Sequence, residues 1–279
     1  MRVVVGIKWV PNTQAVRFDP RTGTLLREGV PSIVNPHDLV AVEFALELRD
    51  KYGGEVIAIT MAPPSALKGL EHVIGMGVDR GILITDRVFA GADTLATSYV
   101  IAHAIRKIER EIGHVDLAVF GQETIDSSTA HIGAQTASWL GWPYLYYVTK
   151  AEPVDGKLIV ERTLEDRVEV YELELPAVVA VAMRSRKPRP VRLANKIRAK
   201  LEKPLIIWSN KELGLDPRCV GLRGSPTVVA KITFTPEVPR KKKIYRPRSG
   251  DDAAHWILKS LLADEKASKI LRRILGGEM

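Results

Sequence analysis

Phe120-Gly-Gln-Glu-Thr-Ile-Asp-Ser-Ser-Thr-Ala-His-Ile-Gly-Ala-Gln-Thr-Ala-Ser-Trp-Leu-Gly-Trp-Pro143 is the stretch on which the reading of this chain turns. It follows the apolar run 115–120, which reads as a buried strand, and Gly121 ends that strand. Asp126, Ser127, Ser128 and Thr129 then cluster just before a periodic run at Ile132, Ala134, Ala137 and Leu140. The order is strand, glycine loop, helix start, with the helix expected over 129–140 and Asp126 as its N-cap. A helix start carries unpaired N–H groups and the positive end of the helix dipole, so it attracts phosphate.

Outward from this motif, strand-like and helix-like segments alternate. Residues 3–8, 55–61, 81–84 and 115–120 read as strands; 38–50, 65–76 and 93–112 read as helices, with Gly77 and Gly113 as stops. That alternation predicts a parallel sheet with helices on both faces. Residues 157–163 and 167–173 alternate apolar and polar side chains about a short polar turn, which is an antiparallel hairpin extending the same sheet. The apolar run 176–182 is another strand, and 203–209 is one more. Residues 236–248, rich in proline and lysine, read as a linker before one helix over 250–275. The expected division is a nucleotide-binding α/β domain over 1–235 and a linker with a C-terminal helix over 236–279.

Composition bounds the function. The chain has 279 residues, 46% hydrophobic and 27% charged, as in an ordinary soluble globular protein. No apolar run approaches the roughly 18 residues of a membrane span. The opening Met1-Arg-Val-Val-Val-Gly-Ile-Lys8 turns polar too soon for a signal peptide. The single cysteine, Cys219, leaves no partner for an internal disulfide, and no ligand cluster suggests a metal; a cytoplasmic location is expected. The net charge of +8 is concentrated in 184–203 and 240–248, with few aromatic residues between, so a solvated or partner-facing basic surface is preferred over nucleic acid. The P-loop, dinucleotide and nucleophile-elbow motifs are missing, and no nucleophile pairs with a base at telling spacing. The chain reads as a nucleotide carrier with no catalytic residue of its own, the cofactor supplying the chemistry.

Gly121-Gln-Glu-Thr-Ile-Asp-Ser-Ser-Thr-Ala-His-Ile-Gly133 with Leu140-Gly-Trp-Pro143 resembles the signature of the electron transfer flavoprotein β subunit. So do Val3-Val-Val-Gly-Ile-Lys8, Asn35-Pro-His-Asp38 with Ala41-Val-Glu-Phe-Ala45, Gly75-Met-Gly-Val-Asp-Arg-Gly81, and Leu175-Pro-Ala-Val-Val179 with Arg186-Lys-Pro-Arg189. The resemblance implies a Rossmann-like doubly wound, mostly parallel sheet, similar to adenine-nucleotide α-hydrolases, with an antiparallel hairpin extension and a C-terminal helical arm that packs on an α subunit. It implies nucleotide contacts at Gly6, Asn35, Pro36, His37, Asp38, Met61, Gly121, Gln122, Glu123, Thr124, Ile125, Asp126, Ser127, Ser128, Thr129, Ala130, His131 and Ile132. The nucleotide that the resemblance implies is FAD, or AMP in the same pocket. Residues 18–36 and Gly221-Leu-Arg-Gly-Ser-Pro-Thr227 resemble the electron-bifurcating members, in which a second FAD takes a hydride from NADH. The implied partners are the α subunit and redox proteins such as a dehydrogenase, a quinone oxidoreductase or ferredoxin, met through 184–189. The rival readings are an ATP-using enzyme of the α-hydrolase class, for which the loop after the first strand is wrong, and a basic nucleic-acid module.

Overall fold

Val3, Val4 and Val5 are fully buried, and they explain why the chain begins with a central strand. A strand covered on both faces has no polar side to show, so it reads as an unbroken β-branched run. This is β1 (Arg2–Gly6). The computed structural model describes residues 1–12, 17–18, 25–26, 31–202, 204–227 and 244–275.

After β1 come the short strands β2 (Trp9–Pro11), β3 (Arg17–Phe18), β4 (Leu25–Leu26) and β5 (Ser32–Val34), then helix α1 (Pro36–Tyr52). The crossovers continue with β6 (Glu55–Met61), α2 (Leu67–Met76), β7 (Arg80–Ile84), α3 (Thr94–Glu111), β8 (Leu117–Gly121) and α4 (Ile132–Leu140). Next are β9 (Tyr144–Val154), β10 (Lys157–Thr163), β11 (Val168–Glu174), β12 (Ala177–Val181), α5 (Leu193–Glu202), β13 (Leu205–Trp208) and the one-turn α6 (Asn210–Leu213). The nine-stranded sheet runs β11-β10-β9-β12-β8-β1-β6-β7-β13. Pairings from β9 through to β13 are parallel, while β9–β10 and β10–β11 are antiparallel. The expected hairpin is present as part of a three-stranded antiparallel extension, because β9 joins it.

Alternate residues of the central strands feed two cores. Val3, Val5, Val56, Ala58, Leu117 and Val119 pack with α1 and α2. Val4, Ile57, Ile59, Ile82, Ala118 and Phe120 pack with α3 and α4. Each such side chain contributes about 1.5–3 kcal/mol when fully buried. Asp93 starts α3 by accepting the Ala96 N–H at 3.0 Å, and Gly77 ends α2 at φ 129°, a backbone that favours glycine.

The strand β9 carries two irregularities that hide it from an alternation test. Against β12 the partners step from Leu145 to Val148 while Val179 steps only to Val181. Leu145 and Val148, three residues apart, therefore enter the same core. Against β10 the partners jump from Val148 to Lys150, leaving Thr149 over. The Thr149 carbonyl accepts from Arg186 Nη2 at 2.5 Å.

Two expectations are corrected. The helix expected over 129–140 starts at Ile132, because Ser128 and Ala130 have φ of 53° and 57°, in the left-handed region that no right-handed helix uses. The single helix expected over 250–275 is two, α7 (Gly250–Leu262) and α8 (Glu265–Leu275). Asp264 Oδ1 accepts the N–H groups of Lys266 and Ala267, each at 3.1 Å, and starts the second. Helix α5, which the sequence reading left unassigned, exposes Leu193, Ile197 and Leu201 along one stripe. The expected linker lies for the most part outside the described residues. The chain divides into compact units Met1–Val229 and Ala230–Met279.

The basic run 184–189 is only partly solvated. Arg189 Nε donates to both oxygens of buried Glu43, at 3.0 and 2.9 Å, and its backbone N–H donates to Glu43 Oε2 at 2.8 Å. The Arg186 guanidinium sits 4.4 Å from the centre of the Phe44 ring, and burial lowers its pKa against the opposing pull of Glu47 and Glu43. Both arginines clamp the segment onto α1, while Arg184 and Lys187 stay exposed. Replacing Glu43 with alanine removes the bonds from the Arg189 Nε and backbone N–H and leaves the Arg189 guanidinium with Asp50 alone, at 2.8 Å, so equilibrium denaturation of Glu43→Ala should show a loss of about 1–3 kcal/mol. A loss below about 0.5 kcal/mol would refute the clamp.

Candidate functional site

Strand β1 lies between β6 and β8. The chain leaves β1 for β6 and β7 on one side, then returns to β8 on the other. In an open α/β sheet, ligands bind outside the carboxyl ends of the strands where the winding reverses. Here the reversal point brings together Gly6 at the end of β1, the Asn35–Asp38 entry to α1, and the loop that follows Gly121.

The contact between these segments is close. A Cβ on Gly121 would collide with the Asp38 carboxylate and come within 2.8 Å of the His37 backbone. Only glycine lets the end of β8 touch the start of α1. Asp38 is 5% exposed. Its Oδ2 accepts the Lys8 N–H at 2.7 Å, and its Oδ1 lies against Gly121. Burial pushes its pKa up to about 7, although hydrogen bonding and the nearby Lys8 charge pull it down.

Asn35 is fully buried and does not cap α1 with its side chain; Pro36 occupies the helix start instead. The Asn35 amide spans the loop, donating to the Glu123 carbonyl at 2.8 Å and accepting the Ile125 N–H at 3.2 Å. His37 has an enclosed Nδ1 with no hydrogen-bond partner among the described residues, and burial lowers its pKa.

The expected capping by Asp126 is corrected. Its carboxylate is held by Lys8 Nζ at 2.7 and 2.9 Å, so it does not cap α4. His131 occupies the cap position and makes no side-chain cap bond. The first-turn N–H groups of α4 therefore have no side-chain acceptor from their own cap. Before them, Thr124 Oγ1 and Ser127 Oγ are 2.8 Å apart, and the Thr124 carbonyl accepts the Ser128 N–H at 2.8 Å. Left-handed Ser128 and Ala130 flank Thr129. Left-handed residues within a turn gather successive N–H groups into a concavity that suits an anion. Ser127, Ser128, Thr129 and His131 are exposed; Ile132 packs into the α3–α4 core.

Gly6 also has a steric reason to be glycine: a Cβ there would lie 2.5 Å from Cε1 of Phe120. The Gln122 amide is occupied on both sides, accepting the Met183 N–H at 3.1 Å and donating to the Tyr147 hydroxyl at 3.2 Å. Met61 ends β6, beside β1. Lys8 and Tyr147 were not singled out from sequence. Lys8 follows the strand by two residues and could have been read as facing the switch point; an irregular β9 gives no such signal for Tyr147.

The motif 221–227 docks on the start of α3. Thr227 Oγ1 donates to Asp93 Oδ2 at 2.8 Å, the Asp93 N–H donates to Ser225 Oγ at 2.8 Å, and the Leu222 N–H donates to the Ala90 carbonyl at 3.1 Å. Most of 18–36 before Pro31 lies outside the described residues. Among the described residues no group of three or more His, Cys, Asp or Glu side chains could hold a metal ion, and no helix is long and apolar enough to cross a membrane.

Residues 22–211 match the family described as the electron transfer flavoprotein domain. The protein FixA of Azorhizobium caulinodans is 44% identical over 247 residues, covering 87% of each chain. The caffeyl-CoA reductase-Etf complex subunit CarD of Acetobacterium woodii is 42% identical over 237 residues, covering 85% of this chain and 88% of its own. The electron transfer flavoprotein subunit beta of Clostridium acetobutylicum is 39% identical over 259 residues, covering 93% of this chain and 97% of its own.

Asp38 gives the site a pH signature. Unfolded, it titrates near its ordinary 3.8; folded, near 7. Between these values the folded state binds more protons, so stability falls as pH rises from about 4 to about 7 and is level above. The fall attributable to Asp38 should be on the order of a few kcal/mol, at about 1.4 kcal/mol per pKa unit. Denaturation midpoints at a series of pH values should show this slope in the native chain and its flattening in Asp38→Asn.

Proposed function

The chain belongs to the electron transfer flavoprotein family, and on that premise we propose that it is the β subunit of a heterodimer, holding an adenine nucleotide at the β1–β8 switch point. The carrying observation is the loop from Gly121 to Ile132, locked by Asn35, in which left-handed Ser128 and Ala130 lead into uncapped N–H groups. An adenylate needs an anion cradle plus an apolar or planar contact for its base, and this edge offers both. The backbone from Ser127 to Ile132 receives the phosphate. Thr124, Ser127 and Thr129 can add hydroxyl donors. Lys8 neutralises Asp126 at 2.7 Å, so the carboxylate next to the serines does not face the phosphate as an unpaired charge. Gly6, Met61 and the Asn35–Asp38 turn enclose the adenosine.

The same cradle accepts AMP or the adenylate half of FAD. Likeness of residues 18–36 and 221–227 to bifurcating members favours FAD, with NADH as hydride donor. Bound FAD supplies the hydride and one-electron chemistry; the chain binds and orients it. α7 and α8 present exposed Ile257, Leu258, Leu261, Leu262, Ile270 and Ile274, an apolar surface suited to packing on an α subunit. The exposed apolar stripe of α5, following the clamped 184–189 segment, is the surface offered to a redox partner such as a dehydrogenase, a quinone oxidoreductase or ferredoxin. A cytoplasmic site of action accords with a single exposed, unpaired Cys219.

The test begins with coexpression of the chain and its α partner and identification of nucleotides released on denaturation. Two FAD per heterodimer supports the bifurcating reading; one FAD with one AMP gives the simpler carrier; one nucleotide alone removes the β site. Asn35→Ala breaks two hydrogen bonds that fix the loop. At about 0.5–1.5 kcal/mol each, nucleotide retention on dialysis should fall by about tenfold to a hundredfold.

A further inference from the structure

The extra residue in β9 is an aromatic one in an unfavourable backbone state. Tyr147 has φ 64°, which is uncommon for any residue but glycine and an outlier for a bulky side chain. It falls where β9 gains a residue on β12, between Leu145 and Val148. A bulge of this kind re-aims a side chain, and bulges recur beside binding sites. Glycine or asparagine would adopt this backbone more cheaply, so the phenol ring is retained at a cost of order 1–3 kcal/mol.

Its surroundings direct it to the switch-point crevice. The Tyr147 hydroxyl accepts from Gln122 Nε2 at 3.2 Å, and Gln122 immediately follows Gly121. Tyr146 meets it edge to face, with ring centroids 4.5 Å apart and planes at 88°. The ring is thus held in one orientation, yet Tyr147 remains 37% exposed. Packing alone does not explain a strained, bonded and buttressed aromatic that stays partly open.

We propose that Tyr147 is a wall of the nucleotide site, its ring stacking on a planar heteroaromatic ring of the bound nucleotide. The proposal rests on the nucleotide reading of the neighbouring loop. Stacking of a base on an aromatic side chain is worth about 1–3 kcal/mol by alanine substitution, which is about fivefold to a hundredfold in affinity. The hydroxyl bond to Gln122 sets the ring plane and is a secondary contribution.

The experiment compares the native chain, Tyr147→Phe and Tyr147→Gly, each in complex with the α partner. Glycine suits φ 64° and preserves the bulge while deleting the ring; phenylalanine keeps the ring and deletes the bond to Gln122. Dissociation constants are measured for AMP and FAD after removal of bound nucleotide, with thermal midpoints alongside. The expected result is an affinity at least fivefold weaker in Tyr147→Gly and within about threefold of native in Tyr147→Phe. Weakening of both AMP and FAD identifies adenine as the stacked ring; weakening of FAD alone identifies the isoalloxazine, and tyrosine quenching of flavin emission should then be relieved in both variants. Native affinity in Tyr147→Gly overturns the proposal, as does an equal loss in both variants, which would assign the effect to the Gln122 bond. Failure of the native complex to bind either nucleotide overturns the underlying reading itself.

Discussion

A buried carboxylate holds the switch point of this sheet together. Asp38 stands at the start of α1, shielded from water, and accepts the backbone N–H of Lys8, two residues beyond β1, while its other oxygen lies against Gly121 at the end of β8. One side chain thus ties the helix to both strands at the point where the winding reverses. The glycine requirement at Gly121 is the steric counterpart, since any side chain there would occupy the carboxylate's place. The high pKa of Asp38 reflects the cost of keeping a charge in that position.

The loop that follows inherits its shape from this junction. Asn35, one residue before α1, reaches across to two backbone groups of the Gly121–Ile132 loop, and Lys8, two residues beyond β1, holds Asp126. Two separate segments thus converge on one loop through polar side chains that are themselves buried or paired. A loop fixed in advance loses less entropy on binding than a mobile one. The same logic extends along the edge through Gln122, which links β8 to the segment after β12 and to the bulge of β9.

Much of the basic character of the chain is spent internally. Arg189 and Arg186 tie the segment after β12 to α1, and Arg186 also satisfies the carbonyl left over by the second irregularity of β9. Charge counts along the sequence could not separate these arginines from exposed Arg184 and Lys187, because pairing depends on Glu43 and Glu47, some 140 residues earlier. The open surface of this region carries an apolar stripe, Leu193, Ile197 and Leu201, among exposed basic residues such as Arg184, Lys187 and Lys196.

The sequence by itself determined the alternation of central strands and helices, and with it a doubly wound sheet, because buried parallel strands must be continuously apolar and their covering helices must repeat near 3.6 residues. It also marked the loop after Gly121, because glycine followed by a run of hydroxyl and acidic residues is legible locally. Only the tertiary structure decided how that loop is built. Asp126 reads as a helix cap from its neighbours, yet Lys8, distant in sequence, takes it, and the left-handed turns at Ser128 and Ala130 delay the helix to Ile132. Strand β9 and the position of Tyr147 were likewise hidden, since a bulge breaks the two-residue period that reveals a strand. Local preference sets which elements form; the partners of buried polar groups, and the register of bulged strands, are settled by residues that meet only after the chain has folded.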